Sequence, residues 1–235
     1  MTARPIAHRG LHGEGLAENT LTAVEAAIEA GYGVEVDLRL TADGGLVMIH
    51  DAMLERTTFR AGRVLDHTLD ELRAVAVRGC DETLSSVTDL LALTSGRAAL
   101  FIELKAPPGE AAKAAMTAAI GRALAGYGGA AAVMTFDVDL LAMLRAALPD
   151  TPLGILAGGE AKAASLVNRF GRDMLLHLPR TRADFVAYFA TALPHPGPWL
   201  ARRKRPVLAW TVRSRAEARR VAPYADQIIF EGFAA

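Results

Sequence analysis

The sequence predicts an α/β fold, a TIM-type (β/α)8 barrel with a small hairpin and helix excursion after its second strand. Short apolar runs alternate with Ala- and Leu-rich helical stretches along the chain, the pattern of βα units around a parallel sheet. Eight such runs in 235 residues fit the strand number and size of a barrel. Neither a GxGxxG nor a GxxxxGK[ST] loop is present, which counts against the alternative, an open doubly wound sheet.

The expected strands span residues 5–8, 33–38, 98–104, 131–136, 152–156, 174–178, 206–212 and 227–230. Helices are expected at 20–30, 86–94, 110–127, 138–148, 161–170, 182–193 and 214–222. Asn19 is the expected N-cap of the first helix. After the second strand comes Asp43-Gly44 and then another apolar run, 46–50. A gap this short joins antiparallel strands, not parallel ones. Residues 46–50 are therefore expected to fold back on strand two and open an excursion that runs to residue 85, with a short helix at 69–75. Pro107-Pro108 cannot continue a strand and fits a loop opening onto the third helix. No linker, low-complexity tract or charge block interrupts the pattern, so residues 1–235 are expected to form one domain.

Composition narrows the function. Hydrophobic residues make up 51% of the chain, ample for a core. The formal net charge is zero, so nucleic acid is not an expected partner. Cys80 is the only cysteine and has no intramolecular disulfide partner, which fits a reducing compartment. With no secretory signal pattern at the N-terminus, the expected location is cytoplasmic. No run of about 18 apolar residues exists, so no stable membrane insertion is expected. The oligomeric state is left open.

Barrel chemistry sits at the C-terminal ends of the strands. Strand one ends in His8-Arg9 and the hairpin strand in His50-Asp51. Glu35 and Asp37 lie two apart on strand two, as do Glu103 and Lys105 on strand three, so each pair shares a face. A bland reading exists for each: a hydrogen-bonded structural histidine, a polar face, a Glu-Lys pair. All of them at one end of the barrel are harder to explain as structure alone. Three carboxylates facing one cavity need a cation, and oxygen ligands favour Ca2+ or Mg2+ over zinc. Arg9 and Lys105 suit a phosphate, and paired histidines suit proton transfer near neutral pH. The residues thus point to metal-assisted cleavage of a phosphoester.

These residues, in order, resemble the glycerophosphodiester phosphodiesterases. The resemblance rests on His8-Arg9-Gly10, Glu18-Asn19-Thr20, Glu35-Val36-Asp37, Thr41 with Asp43-Gly44, and Val47-Met48-Ile49-His50-Asp51. It continues through Leu54-Glu55-Arg56-Thr57-Thr58, Thr83-Leu84, Ile102-Glu103-Leu104-Lys105, Thr135-Phe136 and Trp210-Thr211-Val212. It implies hydrolysis of glycerophosphodiesters to sn-glycerol 3-phosphate and an alcohol, with one divalent cation held by Glu35, Asp37 and Glu103. His8 and His50 would move protons, with His8 favoured as base and His50 as acid. Arg9 and Lys105 would neutralise the phosphate, Trp210 would line the pocket, and Asp51 would orient His50. The implied route runs through a cyclic phosphate formed by a neighbouring glycerol hydroxyl.

The sequence departs from the family pattern at Glu231, where Asp is frequent, and at Arg213, where Asn is common. Both are expected to bear on substrate preference. His177 is expected near the end of strand six in a structural role, His12 in a Gly-containing loop as a solvated or lid residue, and Arg202-Arg203-Lys204-Arg205 at a solvated helix end. Two rival readings are a phospholipid phosphodiesterase on the same barrel, lysophospholipase D-like or phospholipase C-like, and a non-catalytic phosphate- or metal-binding barrel. The first calls for an exposed aromatic rim, which the sequence does not make evident.

Overall fold

A computed structural model of the protein describes residues 4–159 and 166–235. Its strands are β1 (Ile6–Ala7), β2 (Gly33–Leu40), β3 (Leu46–Met48), β4 (Leu100–Leu104), β5 (Ala131–Thr135), β6 (Leu153–Ala157), β7 (Phe185–Phe189), β8 (Val207–Val212) and β9 (Gln227–Phe230). All but β3 pair in parallel, in the ring order β2-β4-β5-β6-β7-β8-β9-β1, and β1 pairs back onto β2 to close it. The result is an eight-stranded parallel barrel. β3 lies outside the ring, antiparallel to β2, with Leu38 opposite Met48. The helices are α1 (Leu21–Glu29), α2 (Leu69–Arg73), α3 (Val87–Thr94), α4 (Glu110–Leu124), α5 (Val138–Ala147), α6 (Leu166–Asp173), α7 (Leu178–Thr181), α8 (Pro196–Ala201) and α9 (Arg215–Val221). None among the described residues is long and apolar enough to cross a membrane.

The period-two alternation of the strands divides the core into two layers. Val34, Val36 and Leu38 of β2, with Leu100, Ile102 and Leu104 of β4, face outward and pack with helix residues such as Leu90, Ile120 and Leu140. Ile6, Phe101, Met134, Phe185, Leu208 and Ile229 form a separate cluster inside the ring. The Phe185 ring occupies the space where a side chain at residue 154 would sit; a Cβ on Gly154 would lie 2.3 Å from it. A third cluster, including Val47, Leu54, Leu72 and Leu84, gives the excursion its own apolar floor.

One strand is displaced from its expected place. Residues 174–178 are not strand six; they lead into α7, and the sixth barrel strand is β7. The expected helix at 182–193 is instead β7 followed by the 3-10 turn Ala190–Ala192. Both segments are short and apolar, and periodicity alone does not separate strand from helix in such runs. Composition does. Met174, Leu175 and Leu176 are good helix formers, whereas Phe185, Val186, Tyr188 and Phe189 are aromatic or β-branched. Arg182, at φ 49°, ends α7 in the left-handed region and turns the chain into β7. The expected helix at 161–170 falls partly on residues 160–165, which lie outside the described residues; α6 begins at Leu166.

The cap of α1 is also reassigned. Thr20, not Asn19, accepts from the Ala23 N–H. That frees the Asn19 side chain for the barrel mouth.

Candidate active site

The mouth is built from strand ends. β2 and β4 are registered so that Asp37 faces Glu103, and Glu35 sits one inward position lower. All three carboxylates are buried. One oxygen from each lies within 4.8 Å of the others, and Glu35 Oε1 has no hydrogen-bond partner. Burial drives Glu35 well above the ordinary carboxylate range, and Asp37 and Glu103 add to it. Burial likewise raises Glu103 to about 7, against the pull of Lys105. Burial acts on Asp37 too, but Lys105 and then Arg9 overcome it and hold that group low. An orphaned buried oxygen within an all-oxygen cluster fits a hard divalent cation.

Two cations already reach into this cluster. Lys105 Nζ lies 2.5 Å from Glu103 Oε1 and 2.9 Å from Asp37 Oδ1. Arg9 Nε lies 3.2 Å from Asp37 Oδ2, and the Arg9 N–H donates to Glu35 Oε2 at 2.9 Å. Arg9 takes φ 55° to make this turn, and Gly10 follows at φ 78°. A Cβ at Gly10 would sit 2.7 Å from the Ala23 carbonyl carbon, so the turn requires glycine there. Asn19 grips Asp37 twice: its amide nitrogen donates to Oδ2 at 3.0 Å, and its carbonyl oxygen accepts from the Asp37 N–H at 2.9 Å. Sequence reasoning read Asn19 only as a cap and missed this role; its place within Glu18-Asn19-Thr20 was the available signal.

Each histidine is held by a carboxylate through Nδ1. His8 Nδ1 donates to Glu231 Oε2 at 2.6 Å, and His8 Nε2 lies 3.9 Å from Glu35 Oε2. His50 Nδ1 donates to Asp51 Oδ1 at 2.7 Å. Burial lowers the pKa of both rings, with Glu231 opposing the shift at His8 and Asp37 at His50. Arg56 Nε is hydrogen-bonded to Asp51 Oδ2, and its other nitrogens contact both Glu18 oxygens at 2.8 Å. Glu18 in turn accepts from Arg9 at 2.8 Å. A continuous chain of charges therefore links His50 on the excursion to Arg9 on the barrel. Arg39 Nε supports the same loop through the His50 carbonyl at 2.8 Å.

Several expectations change here. Glu231, expected to bear on substrate preference, is bonded to His8, and Arg213 Nε holds its other oxygen at 2.8 Å. His12 lies in the expected loop and is partly buried. Its Nε2 is buried, 3.6 Å from Glu231 Oε2, just beyond hydrogen-bond reach. His177 is not on a strand but at the start of α7. Trp210 is half-buried, donates from Nε1 to the Ala187 carbonyl at 3.0 Å, and contacts the Phe136 and Phe189 rings. Phe136 is 43% exposed, an aromatic edge that the sequence did not make evident. A cleft of about 360 Å3 opens beside it, lined by Arg39, Glu103, Lys105 and Asp137. In the basic run, Arg202 pairs with Asp226 at 2.9 Å, Arg205 donates to the Ala183 carbonyl and Arg203 lies over Trp199.

Known proteins resemble the chain in sequence and in fold. The profile of the glycerophosphoryl diester phosphodiesterase family matches residues 8–230. The Bacillus subtilis protein YqiK is 47% identical over 83 residues, 34% of each chain. A glycerophosphodiester phosphodiesterase of Bacillus altitudinis is 40% identical over 106 residues, 42% of this chain and 43% of that one. These matches span less than half the length of either relative. Among solved structures, a protein of Silicibacter pomeroyi named as a putative glycerophosphoryl diester phosphodiesterase superposes with a TM-score of 0.81 at 25% identity, covering 97% of this chain and 89% of that one. A phosphodiesterase of Oleispira antarctica, solved with the product sn-glycerol-3-phosphate, shares the fold with a TM-score of 0.79 at 23% identity over 96% of this chain and 91% of its own. With the family profile running from His8 to Phe230, the chain belongs to the glycerophosphoryl diester phosphodiesterase family.

Proposed function

We propose that the chain hydrolyses glycerophosphodiesters to sn-glycerol 3-phosphate and an alcohol, using one divalent cation, Ca2+ or Mg2+. The observation that carries this reading is the pair of histidines. Each is tied to a carboxylate through Nδ1, which leaves Nε2 as the other ring nitrogen, and that of His8 lies 3.9 Å from Glu35 in the buried carboxylate cluster. Glu35, Asp37 and Glu103 are the residues that would hold the cation. When bound, such a cation neutralises phosphoryl charge and lowers the pKa of a hydroxyl next to it.

His8, kept neutral by burial, accepts the proton of the glycerol hydroxyl that attacks phosphorus. Glu231 stabilises the imidazolium formed and fixes the tautomer, as a carboxylate does for a catalytic histidine. His50, oriented by Asp51, delivers a proton to the departing alcohol. Arg9 and Lys105 balance the phosphate charge. Water then opens the cyclic phosphate with the two histidines in exchanged roles. Phe136 forms an apolar wall of the cleft, and Trp210 packs edge-on against its ring. The partner is a small molecule, and the single cysteine suits a reducing, cytoplasmic setting.

The test is a substrate panel of glycerophosphocholine, glycerophosphoethanolamine and lysophosphatidylcholine, with glycerol 3-phosphate release as the readout. Turnover of the first two supports the reading. Cleavage confined to the lysolipid moves it to a phospholipid phosphodiesterase. No turnover on any diester moves it to a binding barrel.

A further inference from the structure

Glu231 is shared by two histidines. Its Oε2 lies 2.6 Å from His8 Nδ1 and 3.6 Å from His12 Nε2, and one ligand atom from each of the three residues falls within 4.8 Å of the others. Arg213 holds Oε1 and so leaves Oε2 turned toward the imidazoles. The three groups are partly buried, with side-chain exposures of 10%, 24% and 19% for His8, His12 and Glu231. The His12 Nε2 is buried and, with Glu231 Oε2 at 3.6 Å, makes no hydrogen bond. This set lies on the Nδ1 side of His8, opposite the Glu35 carboxylate that approaches Nε2.

Two imidazoles and one carboxylate, with room for a fourth ligand, are the donor set of an open zinc site. Bonds of about 2.0–2.1 Å at tetrahedral angles place neighbouring ligand atoms about 3.3 Å apart. The His12 separation is close to that already, and the His8 separation needs a small opening. Ca2+ and Mg2+ prefer oxygen ligands and favour the Glu35, Asp37 and Glu103 cluster instead. The two clusters therefore differ in donor hardness.

We propose that His8, His12 and Glu231 form a second metal site, selective for Zn2+ and similar borderline cations, and that its occupancy switches the enzyme off. The chemistry lies in the His8 ring. In the metal-free state the proton is on Nδ1, held by Glu231, and the Nε2 lone pair is available. A metal on Nδ1 takes the lone pair that the departing proton exposes there, and the displaced proton passes through solvent to the Nε2 lone pair. No proton is gained or lost, but Nε2 now carries a hydrogen and no longer accepts one. The inhibition rests on His8 acting as the base in the proposed reaction; the binding does not.

The experiment uses the full chain in excess Mg2+, which occupies the oxygen cluster, and adds Co2+ as a visible probe of imidazole ligation. Wild type is expected to develop the intense absorption of a four-coordinate Co2+ site at one equivalent. His12→Ala and, separately, Glu231→Gln are expected to lose it. In parallel, Zn2+ is titrated against Mg2+-supported turnover. Wild type is inhibited, and His12→Ala keeps its turnover while the inhibitory concentration rises by on the order of 100-fold. Absorption unchanged in both variants, or Zn2+ inhibiting His12→Ala at the wild-type concentration, would overturn the proposal. So would a wild type without absorption. A wild type that binds Co2+ in this way yet turns over no diester supports the site and contradicts the activity reading.

Discussion

Glu231 and His8 stand at opposite ends of the chain yet meet at 2.6 Å, because β1 and β9 are neighbours in the closed ring. The carboxylate is held well below its ordinary range by the imidazoles of His12 and His8, against the effect of burial. It is thus charged whenever His8 needs a partner. Glu231→Gln keeps the shape but removes that charge, and kcat is expected to fall by on the order of 100-fold with little change in KM. Glu231→Asp shortens the reach by one methylene and is expected to retain more turnover than the glutamine variant. Steady-state kinetics of the two variants side by side check this. Equal kcat in wild type and Glu231→Gln would remove Glu231 from the account.

Asn19 completes both the backbone N–H and a carboxylate oxygen of Asp37, which is fully buried. Asn19→Ala leaves both groups without that partner. The expected cost is about 1–3 kcal/mol. For a chain of this size each kcal/mol lowers Tm by about 2–4 °C, so calorimetry resolves it.

Gly154 bears on the barrel interior alone. A methyl there meets the Phe185 ring at 2.3 Å, and that ring is wedged among the inward-facing residues. Gly154→Ala is expected to destabilise the fold by about 1–3 kcal/mol through overpacking, while the kinetic constants of the folded fraction stay near wild type. Chemical denaturation with parallel assays separates the two effects.

The acidic cluster predicts how cation binding depends on pH. Glu103, raised to about 7, and Glu35, raised further, keep protons near neutrality that an incoming cation must displace. The sign follows from linkage. A raised carboxylate contributes stability that is full below its unfolded pKa and lost as pH rises through the folded value, and the cation restores what is lost. The cation-induced rise in Tm is therefore expected to grow between about pH 5 and 8. The increment is the readout, because His8 and His50, held low by burial, change the absolute stability in the opposite direction over part of that window. An increment independent of pH would contradict the assignment of these carboxylates as ligands.

Much of this architecture is legible in the sequence because it repeats. The alternation of apolar runs gives the barrel, and Asp43-Gly44 gives the hairpin that carries His50. The spacing of Glu35 with Asp37, and of Glu103 with Lys105, places all four on the barrel interior. What escapes the sequence is tertiary. The pairing of Glu231 with His8 depends on ring closure, and no local pattern encodes it. The grip of Asn19 on Asp37 depends on Thr20 taking the cap. β7 was misplaced because two apolar segments compete for one strand position, and only aromatic and β-branched content distinguishes them.

The measurement closest to the central claim follows glycerol 3-phosphate release from glycerophosphocholine by wild type, His8→Ala and His50→Ala. Each is stripped with EDTA and then resupplied with Ca2+ or Mg2+. The account predicts that stripping abolishes wild-type turnover, that one of the two cations restores it, and that both variants remain reduced by on the order of 10²–10⁴-fold after resupply. Full turnover in EDTA, or in either histidine variant, would contradict it.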